Sequence, residues 1–282
     1  MKRYLMSCVG GCVSIAMLSP MIGHAQCPVK IGSLVTLGDV ELAYSRLEQS
    51  TPIKGEYETT VEFEARKTTS GGKANETLLL RSVWDPKRVK YDADNQRFVA
   101  SSFAWSNLGI GWRNALKNGE PYGISGVQSL KQHGIVLKKD IVEGDSYEAS
   151  NAYGATTRVV AITDTTYAVY DRKKKDMFDE NWSTDFVVSK AKGKDGNVDI
   201  SGPAVGIPVP IDEAKQINGK LQVGIYFKLK GPKILKGSGS FSATMAAPYD
   251  KDFQYRIFVG DILCAVITDP DGKVLKTVLP SY

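Results

Sequence analysis

The chain has 282 residues, of which 24% are charged, and 36 lysines and arginines against 31 acids leave a net charge of +5. That balance is close to neutral and no basic face with interleaved aromatic residues stands out, which excludes nucleic acid as the expected partner. Two histidines and four cysteines leave little material for imidazole, thiol or zinc chemistry.

Taken in chain order, the first block is an export signal. Lys2 and Arg3 are followed by residues 4–22, apolar or small and free of acids; Pro20 breaks the run and Gly23-His24-Ala25 offers the small residues a signal peptidase reads. The expectation is a cleavable signal peptide over residues 1–25, cut after Ala25, with the remainder working in a bacterial periplasm. A spanning helix needs about 20 predominantly apolar residues, and Gly10, Gly11, Ser14, Ser19 and Pro20 interrupt this run. A lipid anchor fits no better, because Cys12 has almost no apolar stretch ahead of it and Cys27 follows the polar Gln26. Removal of the signal takes two basic residues, leaving 34 against 31 acids, or +3. It also takes Cys8 and Cys12. Cys27 and Cys264 remain, and in an oxidising compartment they are expected to form one disulfide.

Residues 39–49 read as a helix with Asp39 as its cap and Pro52 beyond its end. Residues 56–66 are ambiguous. Tyr57, Val61, Phe63 and Ala65 alternate as in a strand, yet Thr59 and Glu62 have the spacing of a capping box. Residues 78–84 form an apolar run stopped by Asp85-Pro86. Residues 88–91 and 97–101 flank Asp92-Ala93-Asp94-Asn95 as a hairpin. Residues 156–163 and 166–170 read as two strands with Asp164 near the turn between them. Residues 185–189 and 198–200 flank a second turn at residues 193–197. A stiff, extended stretch at residues 201–210 leads into a short helix at 212–217, stopped by Asn218-Gly219. Residues 220–230 alternate cleanly, with Leu221, Val223, Ile225, Phe227 and Leu229 on one side. Residues 255–259, 262–268 and 273–278 close the chain, the last two joined by Asp269-Pro270-Asp271-Gly272. This predicts an α+β, sheet-dominated fold of about ten mostly antiparallel strands and three short helices. Two β-rich parts, residues 26–205 and 206–282, are expected to join near residues 201–212.

Several of these segments carry a resemblance. Residues 54–59 followed by Glu62-Phe63-Glu64-Ala65-Arg66 are similar to a recurring FETxxEYxAR box in a family of exported bacterial proteins of unknown function. Val89-Lys90-Tyr91-Asp92-Ala93-Asp94, Ser150-Asn151-Ala152-Tyr153-Gly154-Ala155 and Asp271-Gly272-Lys273-Val274-Leu275 continue the match in the same order. The resemblance implies that residues 59–66 are helical, and it implies no activity. Cys264 stands where the family resemblance implies a large aromatic residue.

The chemistry the residues permit is narrow. His133 alone outlives the signal, in Gln132-His133-Gly134, with no nucleophile motif to match it. Ser125 is not in a nucleophile elbow, and Ser189 with Lys192 has S-x-x-K spacing without the companion motifs of that enzyme class. Neither metal nor cofactor is expected. Paired acids, Asp92 with Asp94, Asp179 with Glu180 and Asp250 with Asp252, fit a glycosidase pair in kind, but all fall in apparent turns or polar loops, where Asp bonds local amides. A basic run, Arg172, Lys173, Lys174 and Lys175, is followed by Lys190, Lys192 and Lys194 and later by Lys228, Lys230, Lys233 and Lys236. If these clusters converge, Arg172 to Lys175 with Lys228 and Lys230 form a patch for an anionic envelope polymer or an acidic envelope protein. Phe103, Trp105, Trp112 and Tyr122 lie in a glycine-containing stretch read as a loop pinned to the core by its aromatics. The expected function is a periplasmic, non-enzymatic binding or interaction protein. The alternatives are a hydrolase of envelope polymer using paired carboxylates, or an inhibitor or immunity protein against a periplasmic effector.

Overall fold

Asp39 begins the first helix: its Oδ1 accepts from the Leu42 amide at 2.7 Å and so satisfies one of the free donors at a helix start. α1 (Val40–Ser50) follows. The fold is that of a computed structural model, which describes residues 27–50, 55–70, 76–101, 107–109, 116–117, 120–121, 124–125, 133–171, 189–190 and 203–279. α2 (Thr60–Ser70) starts on the capping box read in the sequence. The Thr59 amide donates to Glu62 Oε2 at 2.9 Å and the Glu62 amide donates to Thr59 Oγ1 at 3.3 Å, so local capping overrides the strand-like alternation of residues 57–65.

The strands are β1 (Thr77–Ser82), β2 (Val89–Asp92), β3 (Arg97–Ser101), four short pieces β4 (Asn107–Gly109), β5 (Leu116–Lys117), β6 (Glu120–Pro121) and β7 (Ile124–Ser125), then the long β8 (His133–Ser150) and β9 (Thr156–Asp171). After β10 (Ser189–Lys190), β11 (Pro203–Pro208) and the helix α3 (Ile211–Ile217) come β12 (Gln222–Phe241), β13 (Tyr249–Thr268) and β14 (Val274–Val278). The protein is sheet-dominated and mostly antiparallel. The large sheet runs β1-β12-β13-β9-β8-β4, with β14 beside β13 and β7 beside β12; the smaller runs β10-β11-β3-β2. Among the described residues the parallel strand pairs are β13 with β9 and β12 with β7. The expected junction near residues 201–212 holds β11 and the start of α3. Residues 205 and 206 both lie inside β11, and the large sheet takes strands from either side of them.

Two expected breaks are absent. β9 runs without interruption through Asp164, which is buried in mid-strand, not set in a turn. β13 likewise continues through Gly260-Asp261. A Cβ at Gly260 would lie 2.5 Å from the Lys228 carbonyl oxygen, so glycine here marks close approach of two backbones. β8 lies outside every element the sequence reading assigned.

The sheet curls. β1 stands at one edge, yet Ser82 Oγ donates to the Val136 carbonyl of β8, near the other edge, at 2.8 Å. Inside the curl, Val40, Tyr44 and Leu47 of α1 pack on Leu80, Ile135, Leu137, Tyr167, Val169, Phe227 and Phe258. Phe98, Ala100, Val205 and Ile207 of the small sheet and Ala214 and Ile217 of α3 join the same core. The opposite face of the large sheet carries two smaller clusters, one around Ala168, Tyr170, Tyr255, Ile257 and Val259 and one around Cys264, Val266 and Val274.

Candidate functional site

Cys27 and Cys264 are joined by a disulfide, with Cα atoms 5.5 Å apart. The bond pins the segment before α1 onto the outer face of β13, where Cys27, Val29 and Val35 pack against Cys264, Val266 and Val274. Backbone bonds continue the attachment: the Gly32 amide donates to the Val274 carbonyl at 2.8 Å and the Val35 amide to the Gly272 carbonyl at 2.9 Å. Gly272 holds φ at +87°, and a Cβ there would meet the Val35 carbonyl oxygen at 2.3 Å. A side chain at this turn would push the segment off.

Asp164 is the most buried charge that the sequence reading missed, at 1% exposure. It shares a face of the sheet with Lys139 of β8 and Lys251 of β13, whose ammonium groups lie 3.2 and 2.6 Å from its Oδ2. Burial pushes its carboxyl up, but the two lysines together outweigh burial and hold it below the usual carboxylate range. Beside it the Tyr255 hydroxyl is pushed up to about 12 by burial and, second, by the Asp164 charge. This cluster explains how β9 keeps an aspartate in mid-strand: a buried carboxylate stays only where it is paired. On the inner face, the Arg256 guanidinium lies over the rings of Tyr44 and Tyr167, 5.7 and 5.8 Å from their centroids, and reaches Glu48 of α1 at 3.8 Å.

The far end of the long strands is different in kind. The β8–β9 turn is held by Asn151, whose Oδ1 accepts from the Tyr153 and Ala155 amides, both at 3.0 Å. The β12–β13 loop is held by its own bonds, Thr244 N to Ala247 O at 2.9 Å and Ala247 N to Thr244 Oγ1 at 3.0 Å. Asp250 ties the two turns together, accepting from the Tyr147 hydroxyl at 2.6 Å and from the Ala243 amide at 2.8 Å. These partners, Tyr147 first, hold the Asp250 carboxyl below its ordinary range. From this firmly built end Tyr147, Tyr153, Phe241, Met245 and Tyr249 present exposed side chains, Tyr153 at 96%. The rings of Phe241 and Tyr249 lie 5.4 Å apart. In the sequence Asn-Ala-Tyr-Gly-Ala stands out only through the family resemblance, and an aromatic beside a glycine was the available signal of an exposed turn tip.

The expected site residues are placed unevenly. The basic run Arg172 to Lys175, and Lys192 and Lys194, lie outside the described residues, as do Asp179 and Glu180, the aromatics Phe103, Trp105, Trp112 and Tyr122, and the signal segment. Lys190 lies in β10 and His133 starts β8. Lys228 and Lys230 alternate with the buried Phe227 and Leu229, as expected, and Lys230 pairs with Asp261 at 3.5 Å. Asp92 sits at the end of β2 and accepts from the Asn95 side chain at 2.8 Å and its amide at 3.2 Å, and from Arg97 at 3.2 Å. Asn95 above all keeps the Asp92 carboxyl low. Asp94 lies in the same turn. Asp250 and Asp252 correct the sequence reading, because both lie inside β13 rather than in a loop. Among the described residues no three His, Cys, Asp or Glu side chains are placed to hold a metal ion, and no helix is long and apolar enough to cross a membrane. Comparison of the chain with known protein families, curated proteins and solved structures finds no match.

Proposed function

We propose that the protein is an exported, non-enzymatic binding protein of the bacterial periplasm, and that it meets another envelope protein through the far end of its large sheet. The observation that carries the reading is the set of exposed large side chains, Tyr147, Tyr153, Phe241, Met245 and Tyr249, on two hydrogen-bonded turns side by side. Aromatic residues and methionine are enriched where proteins dock, and a stiff scaffold reduces the ordering cost of association. The amino-terminal pattern of Lys2, Arg3 and Gly23-His24-Ala25 supports export, and the Cys27–Cys264 bond suits an oxidising compartment. A periplasmic effector held in check is one partner of this kind.

Among the described residues, the carboxylates that are clearly shifted by their surroundings do not favour the hydrolase reading. A general acid needs a raised carboxyl, whereas the surroundings of Glu62, Asp92, Asp164 and Asp250 all push theirs down. The test is a pull-down from envelope extract with the wild type and with a Tyr153→Ser, Phe241→Ser, Met245→Ser variant. The expected result is one protein recovered by the wild type and lost by the variant. Equal recovery by both, or recovery of nothing by the wild type, overturns the reading.

A further inference from the structure

β9 pairs with one side of β8 from residue 135 to residue 150, whereas β4 pairs with the other side only at residues 133–135. Among the described residues, Ser82 of β1 donates to the Val136 carbonyl just past that point, and the rest of the outer edge of β8 pairs with no other strand. In the middle of this edge Ile141 and Val142 are 57% and 61% exposed. An open edge is a template for another strand, and proteins blunt it with charge. The charges here are ordered. Lys138 and Lys139 come first, then Asp140, which pairs with Lys138 at 3.0 Å, and beyond Val142 come Glu143, Asp145 and Glu148.

That order decides between arrangements. Laid parallel and in register on a copy of itself, the edge sets Lys139 against Lys139 and Glu143 against Glu143. Laid antiparallel and centred on Ile141, it sets Lys139 opposite Glu143 of the second copy twice, with Ile141 against Ile141 between them. Side chains two apart share a face of a strand, so both ion pairs and the apolar contact lie on one side of the joined sheet. Lys139 also lies 3.2 Å from Asp164, which Lys251 approaches to 2.6 Å, so its ammonium is shared between Asp164 and Glu143 of the second copy. The register shift between Glu143 and Ser146 ends the regular stretch just past Glu143.

We infer that β8 is a homodimerisation edge, pairing antiparallel with β8 of a second copy about a two-fold axis at Ile141. The contact is isologous, the commonest closed arrangement for a dimer, and it is separate from the turn surface assigned to an envelope partner. The test uses the protein with its Cys27–Cys264 bond formed, its mass measured by light scattering over a range of concentrations. The wild type is expected at twice the chain mass. Glu143→Lys turns both ion pairs into repulsions and is expected to weaken the dimer by about tenfold or more. Lys139→Glu does the same, and an equimolar mixture of the two single variants restores the doubled mass, because their edges are complementary to each other. Glu143→Lys stands alone if Lys139→Glu disturbs Asp164. Amide exchange at residues 138–143 is expected to slow with concentration in the wild type. A wild type that stays at single mass, a Glu143→Lys dimer as tight as the wild type, or a mixture of folded variants that does not associate overturns the inference.

Discussion

Along β9, residues 166–171 are all buried, whereas at its start only Val159 is buried among residues 156–162. β13 runs in the same direction beside it and divides the same way, half-buried or exposed over residues 249–254 and almost wholly buried from Tyr255 on. Both ends of these strands are paired to neighbouring strands; they differ most in what covers them. α1, with 11 residues, extends about 16 Å, whereas the 20 residues of β13 extend about 65 Å. One short helix and the disulfide-pinned segment therefore close one end, and the other is left with apolar side chains in solvent. Such exposure on a firmly bonded framework is a feature of recognition surfaces, whereas a closed end serves stability.

The largest expected break of this contrast is at the disulfide. Cys27 and Cys264 are 237 residues apart, so in the chain-entropy model losing their bond removes up to about 5 kcal/mol. A Cys27→Ser, Cys264→Ser variant is expected to melt well below the wild type. Hydrogen exchange should quicken first at residues 32–35 and 272–278, with the turns at residues 151–155 and 243–249 changed only through the global loss. Faster exchange at those turns alone would show that the bond does not act at the closed end.

Tyr44 comes next. Its ring is fully buried, edge-on to Tyr167 and Phe258 at 5.7 and 5.4 Å, and its hydroxyl donates to the Leu235 carbonyl at 3.0 Å. Tyr44→Ala is expected to cost about 3–5 kcal/mol in a denaturant titration, as for other large aromatic truncations. Tyr44→Phe keeps the packing and leaves the carbonyl without this donor, at about 1 kcal/mol. Equal losses for the two variants would mean that packing of α1 contributes little.

Asp164 sharpens the comparison, because it lies where buried strand gives way to exposed strand. Replacing it with Asn leaves Lys139 and Lys251 without their partner; since both lysines reach solvent, the cost is about 1–2 kcal/mol, below that for breaking a fully buried pair. The sign with pH follows from its lowered carboxyl. The stabilisation is complete above the unfolded value near 3.8 and is lost as pH falls through the lower folded value. Wild type and Asp164→Asn should therefore differ in melting temperature at pH 6 and converge as pH drops below about 4. A constant gap across that window would show that the carboxylate charge does not matter.

What the sequence reveals depends on how local the cause is. The hairpin at residues 89–101, the cap at Asp39 and the turn before Lys273 are set by residues within a few positions of one another, and each was legible; the capping box at Thr59 is equally local, but alternation there pointed to a strand and only the resemblance favoured helix. Asp164 and Gly260-Asp261 read locally as breaks. They are kept in strand by Lys139, Lys251 and the Lys228 backbone, all distant in sequence. β8 was missed for a related reason: beyond the buried Ile135, Val136 and Leu137 it is largely exposed, and such a stretch loses the apolar alternation by which a half-buried strand is recognised. The disulfide was legible because removal of the signal leaves two cysteines. The exposed turn surface was not, since the sequence shows Tyr153 and Met245 without showing that their turns are neighbours. The parallel pairing of β9 with β13, Tyr249 opposite Val160, is what brings them together.

The smallest expected effect belongs to that neighbourhood. Tyr147 donates to Asp250 at 2.6 Å and is the main cause of the lowered Asp250 carboxyl. Tyr147→Phe keeps the ring and deletes the donor, leaving the Ala243 amide as the remaining partner. The Asp250 carboxyl should then titrate higher, back toward the ordinary aspartate range, as followed by NMR of its side-chain carbon. Melting temperature should move less than in any variant above, because the bond ties two exposed turns and supports no buried group. A large drop in melting temperature would instead make the far end part of the stabilising core. An unmoved Asp250 titration would mean that the amide alone positions the carboxylate, and that the two turns are joined by backbone pairing without help from the tyrosine.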